Sequence, residues 1–281
     1  MPVSTMLFAG LAMVAFAANS LLCRMALVET DIGPASFTLV RLLSGAVVLS
    51  LLIQLKGHHP AKQGSWAGAI ALFCYAAGFS FAYQSVTTGT GALLLFGAVQ
   101  ISMISIGFFR GERFSFIQTA GFVVAFAGLV YLVLPGVTAP PLPAALLMIT
   151  AGISWGVYSL LGKGVASPLL MTAGNFVRTT PFIVALFIFV DEPLSLSETT
   201  IRYGIIYGVL SGAIASGLGY ALWYAVLPKI AATNAATLQL SVPVIAILMG
   251  WVFLSESLNT RIIIASAAII GGIVLVIRKW R

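Results

Sequence analysis

Phe16-Ala17-Ala18-Asn19-Ser20-Leu21-Leu22-Cys23-Arg24 and Trp155-Gly156-Val157-Tyr158-Ser159-Leu160-Leu161-Gly162-Lys163 carry one pattern: an aromatic residue and a small one, a Ser-Leu-Leu core, and a base at the end. The likeness runs on in the same order. Pro34 and Arg41 recur as Pro168 and Arg178 across a three-residue gap, Gly78-Phe79 and Tyr83 as Gly219-Tyr220 and Tyr224 at an offset of 141, and Glu112 and Gly128 as Glu256 and Gly272 at an offset of 144. Retained order with small gaps in loops marks an internal repeat. The halves, 1–138 and 139–281, meet at Pro135-Gly136-Val137-Thr138-Ala139-Pro140-Pro141-Leu142-Pro143.

Working outward, ten apolar stretches are legible, at 5–24, 34–55, 65–84, 89–109, 115–134, 143–162, 169–190, 201–226, 231–253 and 260–277. Each half holds five. An odd number makes the halves cross a membrane in opposite senses, an arrangement that places a binding site near the midplane and opens it to each side in turn. The expected fold is therefore an all-α integral membrane protein, ten transmembrane helices as two inverted five-helix repeats.

Composition agrees. Of 281 residues 60% are apolar and 7% charged, with a mean hydropathy of +1.09. A soluble domain is about a quarter charged, so a water-soluble enzyme is excluded. The net charge of +7 comes from 14 Lys and Arg against 7 Asp and Glu, and their positions explain it. Nine bases fall in the even-numbered loops and the tail: Lys56, Lys62, Arg110, Arg113, Lys163, Lys229, Arg278, Lys279 and Arg281. Three, Arg24, Arg202 and Arg261, fall on the other side, and Arg41 and Arg178 fall inside spans. This bias puts both termini in the cytoplasm, and it makes the basic balance a topology signal rather than a nucleic-acid one. No base precedes the first apolar run, which reads as a span and not a removed leader. Cys23 and Cys74 sit in apolar surroundings without metal or redox spacing, and packing is the expected role of each.

The aromatic-Gly pair Trp155-Gly156 ahead of Lys163 in span six, the Arg in spans two and seven, and the turns Gly111-Glu112-Arg113 and Ser255-Glu256-Ser257 before spans five and ten resemble the EamA type of the drug/metabolite transporter superfamily. Within it the chain is most similar to bacterial inner-membrane metabolite exporters, the aromatic amino-acid branch above all. Phe16-Ala17 stands where the family usually has Trp-Gly. The resemblance implies a transporter, not an enzyme, with a cavity lined by spans one, three, four, six, eight and nine.

Polar and aromatic side chains inside the spans are the candidate solute contacts. Tyr75, Phe79 and Tyr83 recur at i, i+4 and i+8, and Tyr220 and Tyr224 repeat that spacing in the other half. Span six adds Trp155, Tyr158 and Ser159, span four Phe96 and Gln100, and span nine Gln239 and Ser241. Such walls suit an uncharged or zwitterionic, partly apolar solute; plain helix packing is the competing reading for any one aromatic. Pro243, inside span nine, reads as a gating hinge, since its counterpart Val99 in span four is no proline. Gly204, Gly208, Gly212 and Ser216 form a small-residue stripe for close helix packing rather than solute contact. Arg41 and Arg178 are either anchors reaching a membrane surface or attractors of an anionic solute. Arg24 and Lys163 read as membrane-edge anchors, and Glu112 and Glu256 as caps for the helices that follow them.

No Asp or Glu falls in the interior of a span, and His58 and His59 share a loop. The sequence thus offers no proton carrier, and export driven by the solute gradient or weakly coupled is expected. It offers no metal ligands, no cofactor site and no base paired with a nucleophile, so an intramembrane enzyme is disfavoured. A cationic-drug pump lacks its membrane glutamate; a carrier of sugar phosphates or nucleotide sugars would need Arg41 and Arg178 in the cavity. The partners expected are a small-molecule solute, an amino acid or similar metabolite, and the lipid bilayer of the bacterial inner membrane.

Overall fold

The computed structural model describes residues 3–59, 64–109, 111, 115–136, 139–162, 165–193, 195, 197–226 and 238–277. Glu112, Lys163, the loop bases Lys62, Arg110, Arg113 and Lys229, and the basic tail lie outside them. All regular elements among the described residues are helical: α1 (Val3–Glu29), α2 (Pro34–Gln54), α3 (Trp66–Tyr83), α4 (Thr88–Phe109), α5 (Phe116–Val133), α6 (Leu142–Leu161), α7 (Pro168–Arg178), α8 (Thr180–Phe189), α9 (Thr200–Val226), α10 (Ser241–Leu254) and α11 (Thr260–Ile277).

Eight of these runs are long and apolar enough to cross a membrane, α7 and α8 counting as one run, and α10 and α11 are shorter apolar helices. Large apolar side chains such as Val47, Ile70, Phe126, Ile153, Ile188 and Leu248 are exposed on the outer surface. Water would leave them unpaired with anything apolar; hydrocarbon covers them.

Local chemistry sets the helix ends. Pro34 and Pro168 open their helices, where a missing N–H is no loss. Ser65 caps α3 by accepting from the Gly68 N–H, and Ser115 with Gln118 forms a capping box at α5. The stretch read from sequence as one span at 169–190 breaks at Thr179. Pro181 has no N–H for the Val177 carbonyl, and the Thr180 hydroxyl takes that carbonyl instead at 2.8 Å.

The run α9, as long as α1 at 27 residues, is not uniformly α-helical: Thr200–Gly204 and Leu210–Leu218 are π-wound. Such wide turns are rare and gather at functional sites.

Across the two halves, α5 packs on α11, α3 and α4 on α6, α2 on α7 and on the π-wound part of α9, and α1 on α9 and α10. Small residues permit the closest of these. A Cβ on Gly121 would lie 2.6 Å from the Gly272 carbonyl oxygen, and one on Gly272 would lie 2.5 Å from that of Gly121. The stripe along α9 behaves alike for three of its four members: Gly204 meets Thr30 and Ile32, Gly208 meets Val40, and Gly212 abuts the Arg41 backbone.

Polar ties join the halves at the helix ends. Ala35 and Ser36, in the first turn of α2, both donate N–H bonds of 2.8 Å to the Glu192 carboxylate. Thr88, opening α4, donates its N–H at 2.8 Å to Glu256. A carboxylate there complements the positive end of the helix dipole. Glu256 therefore caps α4 of the other half rather than α11, which follows it in sequence; the turn at Ser255, in left-handed backbone at φ 53°, directs it away from its own helix. Arg24 is likewise more than an edge anchor, since its Nη1 donates to the carbonyls of Tyr83 (2.7 Å) and Gln84 (2.9 Å) and its Nε lies 3.6 Å from Glu256. The Thr199 hydroxyl donates to Asp31 at 3.0 Å, and hydrogen bonds from Ser197 and Thr199 hold the Asp31 carboxyl below its ordinary range.

Candidate functional site

Where α1, α3, α4, α6 and α9 meet, an internal cavity is lined by Tyr75, Phe79, Phe96, Trp155 and Tyr220, with Phe16, Asn19, Ser20, Leu95, Ala215 and Ser216 completing the wall. The cavity volume is only about 20 Å³. That admits roughly one water-sized group, so the rings must part before anything larger enters.

Trp155 is the hub of the aromatic wall. Its ring centroid lies 4.8 Å from Tyr75, 5.1 Å from Tyr220 and 5.4 Å from Tyr158, and Phe16 packs edge-on to Tyr220 at 5.8 Å. Offset and edge-on pairs of this kind are worth about 0.5–1.5 kcal/mol each beyond their burial.

A polar chain crosses the same region. The Ser211 hydroxyl donates to Asn19 Oδ1 at 2.5 Å, Asn19 Nδ2 donates to the Tyr75 hydroxyl oxygen at 3.2 Å, and Arg41 Nη2 donates to that oxygen at 2.7 Å. It links α9, α1, α3 and α2. Arg41 is 1% exposed, with its guanidinium carbon 5.0 Å from the Tyr75 ring centroid and 4.7 Å from that of Phe79. Its Nη1 has no hydrogen-bond partner among the described residues. Each ring contributes about 0.5–2 kcal/mol of cation–π attraction, whereas a buried ion loses several kcal/mol of hydration.

Five of the residues proposed from sequence thus meet at one cavity and the others lie elsewhere. Tyr83 is buried against Gly91 and donates to the Thr88 carbonyl at 3.2 Å. Tyr158 is buried behind Trp155 and donates to the Thr172 hydroxyl at 3.1 Å. Tyr224 is half-buried, and Gln100, at 4% exposure, is buried on α4 outside the lining. Gln239 and Ser241 are half-buried outside it too, Ser241 donating to the Leu238 carbonyl, so span nine adds nothing to the described lining. Pro243 stands in the first turn of α10, where its missing N–H costs no bond, and the interruption of span nine falls just before it at Leu240. Arg178 lies at the α7–α8 break and donates to the Gly174 carbonyl at 3.3 Å. Its counterpart Arg41 is the one beside the cavity.

Ser216 departs from the packing role read for it: it faces the cavity, 2% exposed, and its hydroxyl has no hydrogen-bond partner among the described residues. Cys74 also departs, being exposed on α3, while Cys23 is buried. Asn19, Ser211 and Phe16 were not proposed from sequence as solute contacts. For Asn19 a signal was present, an amide inside an apolar span, and for Phe16 its alignment with Trp155 in the repeat; for Ser211 there was none.

Known proteins agree with this architecture. A Pseudomonas aeruginosa protein, PA1977, is 50% identical over 97% of this chain and 94% of its own length. The Bacillus subtilis transporter YoaV is 25% identical over 86% of this chain and 87% of its own. A Streptantibioticus cattleyicolor protein named "Probable terminal-alkyne amino-acid exporter" is 27% identical over 88% of this chain and 85% of its own. One solved crystal structure, 19% identical, superposes with a TM-score of 0.69 over 98% of both chains and shares the fold. The EamA-like transporter family matches residues 3–134 and 142–278, nearly the full length. A helical membrane chain with a central aromatic cavity and that match along both halves belongs to the EamA-like transporter family.

Proposed function

We propose that this transporter exports amino acids, aromatic and neutral ones foremost, or closely similar metabolites from the bacterial cytoplasm by alternating access through the central cavity. The observation that carries the reading is the cavity itself: rings from α1, α3, α4, α6 and α9 enclose it, with the amide of Asn19 and the hydroxyls of Ser20 and Ser216 among its polar points. Walls of that kind suit a partly apolar solute with a few polar groups. The amino-acid exporter among the relatives supports the solute class, and the resemblance to the aromatic amino-acid branch narrows it.

Ten spans in two inverted repeats, 1–138 and 139–281, complete the proposal. Exchanging each span for the one five later turns the α3–α6 contact into α9–α1, and α4–α6 into α10–α1. The pairs α2–α7, α4–α10 and α5–α11 exchange with themselves. Recurrence of these main contacts under that exchange, with the family matching both halves, supports the two-fold relation. The lopsided distribution of bases supports cytoplasmic termini in the inner membrane. The break before Pro243 supports a hinge there, and the sequence, with no Asp or Glu in the interior of a span, supports export without obligatory proton coupling.

The decisive experiment is counterflow in liposomes containing the purified protein, across the 20 amino acids with no imposed proton gradient. Saturable counterflow of phenylalanine or another neutral amino acid is expected. If none of the 20 exchanges, the solute class is wrong; if exchange requires a proton gradient, the coupling is wrong.

A further inference from the structure

A full positive charge is buried beside the cavity with no negative charge at hand among the described residues. Arg41 is 1% exposed, and its partners are a phenol oxygen and two ring faces. Among the described residues the carboxylates lie at helix ends and loops: Glu29, Asp31, Asp191, Glu192, Glu198 and Glu256. Glu192 and Glu256 are already taken up by the first turns of α2 and α4. One nitrogen of the guanidinium, Nη1, has no hydrogen-bond partner among the described residues. The rings over which Arg41 lies, Tyr75 and Phe79, both line the cavity. The thickness of one ring therefore separates the charge from the solute space.

We propose that the cavity takes a solute bearing a carboxylate beside an apolar body, and that Arg41 is the counter-charge of that carboxylate. The inference rests on the cavity being the solute site. A guanidinium presents its N–H groups as a flat fork that matches a carboxylate, and the charge-assisted bonds so formed are about twice as strong as neutral ones. A donor needed only to hold the Tyr75 hydroxyl could be neutral; a buried charge is expensive unless something pairs with it. Because Tyr75 and Phe79 stand between Arg41 and the cavity, pairing requires their rings to turn. The Tyr75 hydroxyl also holds Asn19, and Asn19 holds Ser211 on α9, so the turn is passed to the other half of the molecule. On the α9 side the Ser216 hydroxyl, without a hydrogen-bond partner, is placed to receive the ammonium of a zwitterion. A cationic solute without a carboxylate meets only like charge.

The test uses the purified full-length protein and three probes of one shape: L-phenylalanine, L-phenylalaninamide, which lacks the carboxylate, and 3-phenylpropionate, which lacks the amine. Their binding is followed by the rise in melting temperature with ligand concentration. Phenylalanine and 3-phenylpropionate should bind at least about tenfold more tightly than the amide. In Arg41→Met that preference should shrink to about twofold or less, and Arg41→Lys, a charge without the fork, should keep part of it. Equal binding of phenylalanine and its amide by the parent overturns the counter-charge and leaves the amino-acid reading standing. Binding of 3-phenylpropionate without phenylalanine overturns the amino-acid reading and leaves the counter-charge. If no probe binds, both fall, and an unchanged preference in Arg41→Met removes Arg41 from the role.

Discussion

Glu256 receives the N–H of Thr88 at 2.8 Å, a bond between residues 168 positions apart in the chain, and the same carboxylate lies 3.6 Å from Arg24 Nε. One side chain thereby fixes the start of α4 and, through Arg24, the end of α3. Glu256→Ala should lower stability by about 1–2 kcal/mol, the usual cost of a lost N-terminal cap, and Glu256→Gln by less because an acceptor remains. Melting curves in detergent measure both. Adding Arg24→Ala to Glu256→Ala should cost less than the sum of the two single changes, since they share one interaction.

Gly212 admits no larger residue. A Cβ there would strike the Arg41 carbonyl oxygen and the Ser44 hydroxyl, so Gly212→Val should push α9 off α2 and cost at least about 1–3 kcal/mol. Gly271, with nothing within 4 Å of its Cβ position, provides the contrast, and Gly271→Ala should be close to neutral. Yield and melting temperature of the two variants, compared side by side, decide the matter.

Trp155→Ala and Tyr158→Phe separate cavity wall from supporting core. The first removes the ring that touches Tyr75, Tyr158 and Tyr220 and should weaken solute binding about tenfold or more. The second keeps the ring and loses the hydroxyl that donates to Thr172; it should cost about 1 kcal/mol of stability and leave solute affinity unchanged. Equal effects on transport would show that the two residues are not on opposite sides of that divide.

Asn19→Ala and Ser211→Ala should be strongly coupled. Each breaks the 2.5 Å bond between α1 and α9, and once it is broken the second change has less to remove. A double-mutant cycle on stability should return an interaction of about 0.5–3 kcal/mol. Additivity would mean that the bond contributes nothing to holding the helices together.

The span pattern was legible because apolar length and punctuation are local properties. Pro34 and Ser65 mark helix starts that the structure keeps within a residue or two. The cavity was legible in part, through the aromatic spacing of Tyr75 and Phe79 and the single Trp155. Tyr83 shows why the spacing overreached. Eight residues advance an α-helix about 80° past two full turns, which is enough to turn Tyr83 from the cavity onto Gly91 of α4. Gln100 shows the other failure: a buried amide signals a polar need, but the need is not always the solute's. The partner of Glu256 was beyond reach, since nothing local specifies a contact 168 residues distant. The break in span seven could have been read, because Pro181 stands in mid-span with Thr179 and Thr180 before it to satisfy the freed carbonyls.

The winding of α9 sets phase as well as shape. Five residues advance an ordinary α-helix by about 140° beyond a full turn, but in a π-wound segment the residue five ahead lies nearly overhead. Ser211, bonded to Asn19, and Ser216, on the cavity wall, are five apart within Leu210–Leu218, so their alignment belongs to the wide turn and not to the sequence spacing alone. Losing one residue of that winding would rotate everything beyond it, Tyr220 included. Deleting Ala213 should tighten the turn, carry Ser216 and Tyr220 off the cavity wall, and abolish counterflow in a protein that still inserts and folds. Full counterflow from that deletion variant would show that the phase of α9 is immaterial.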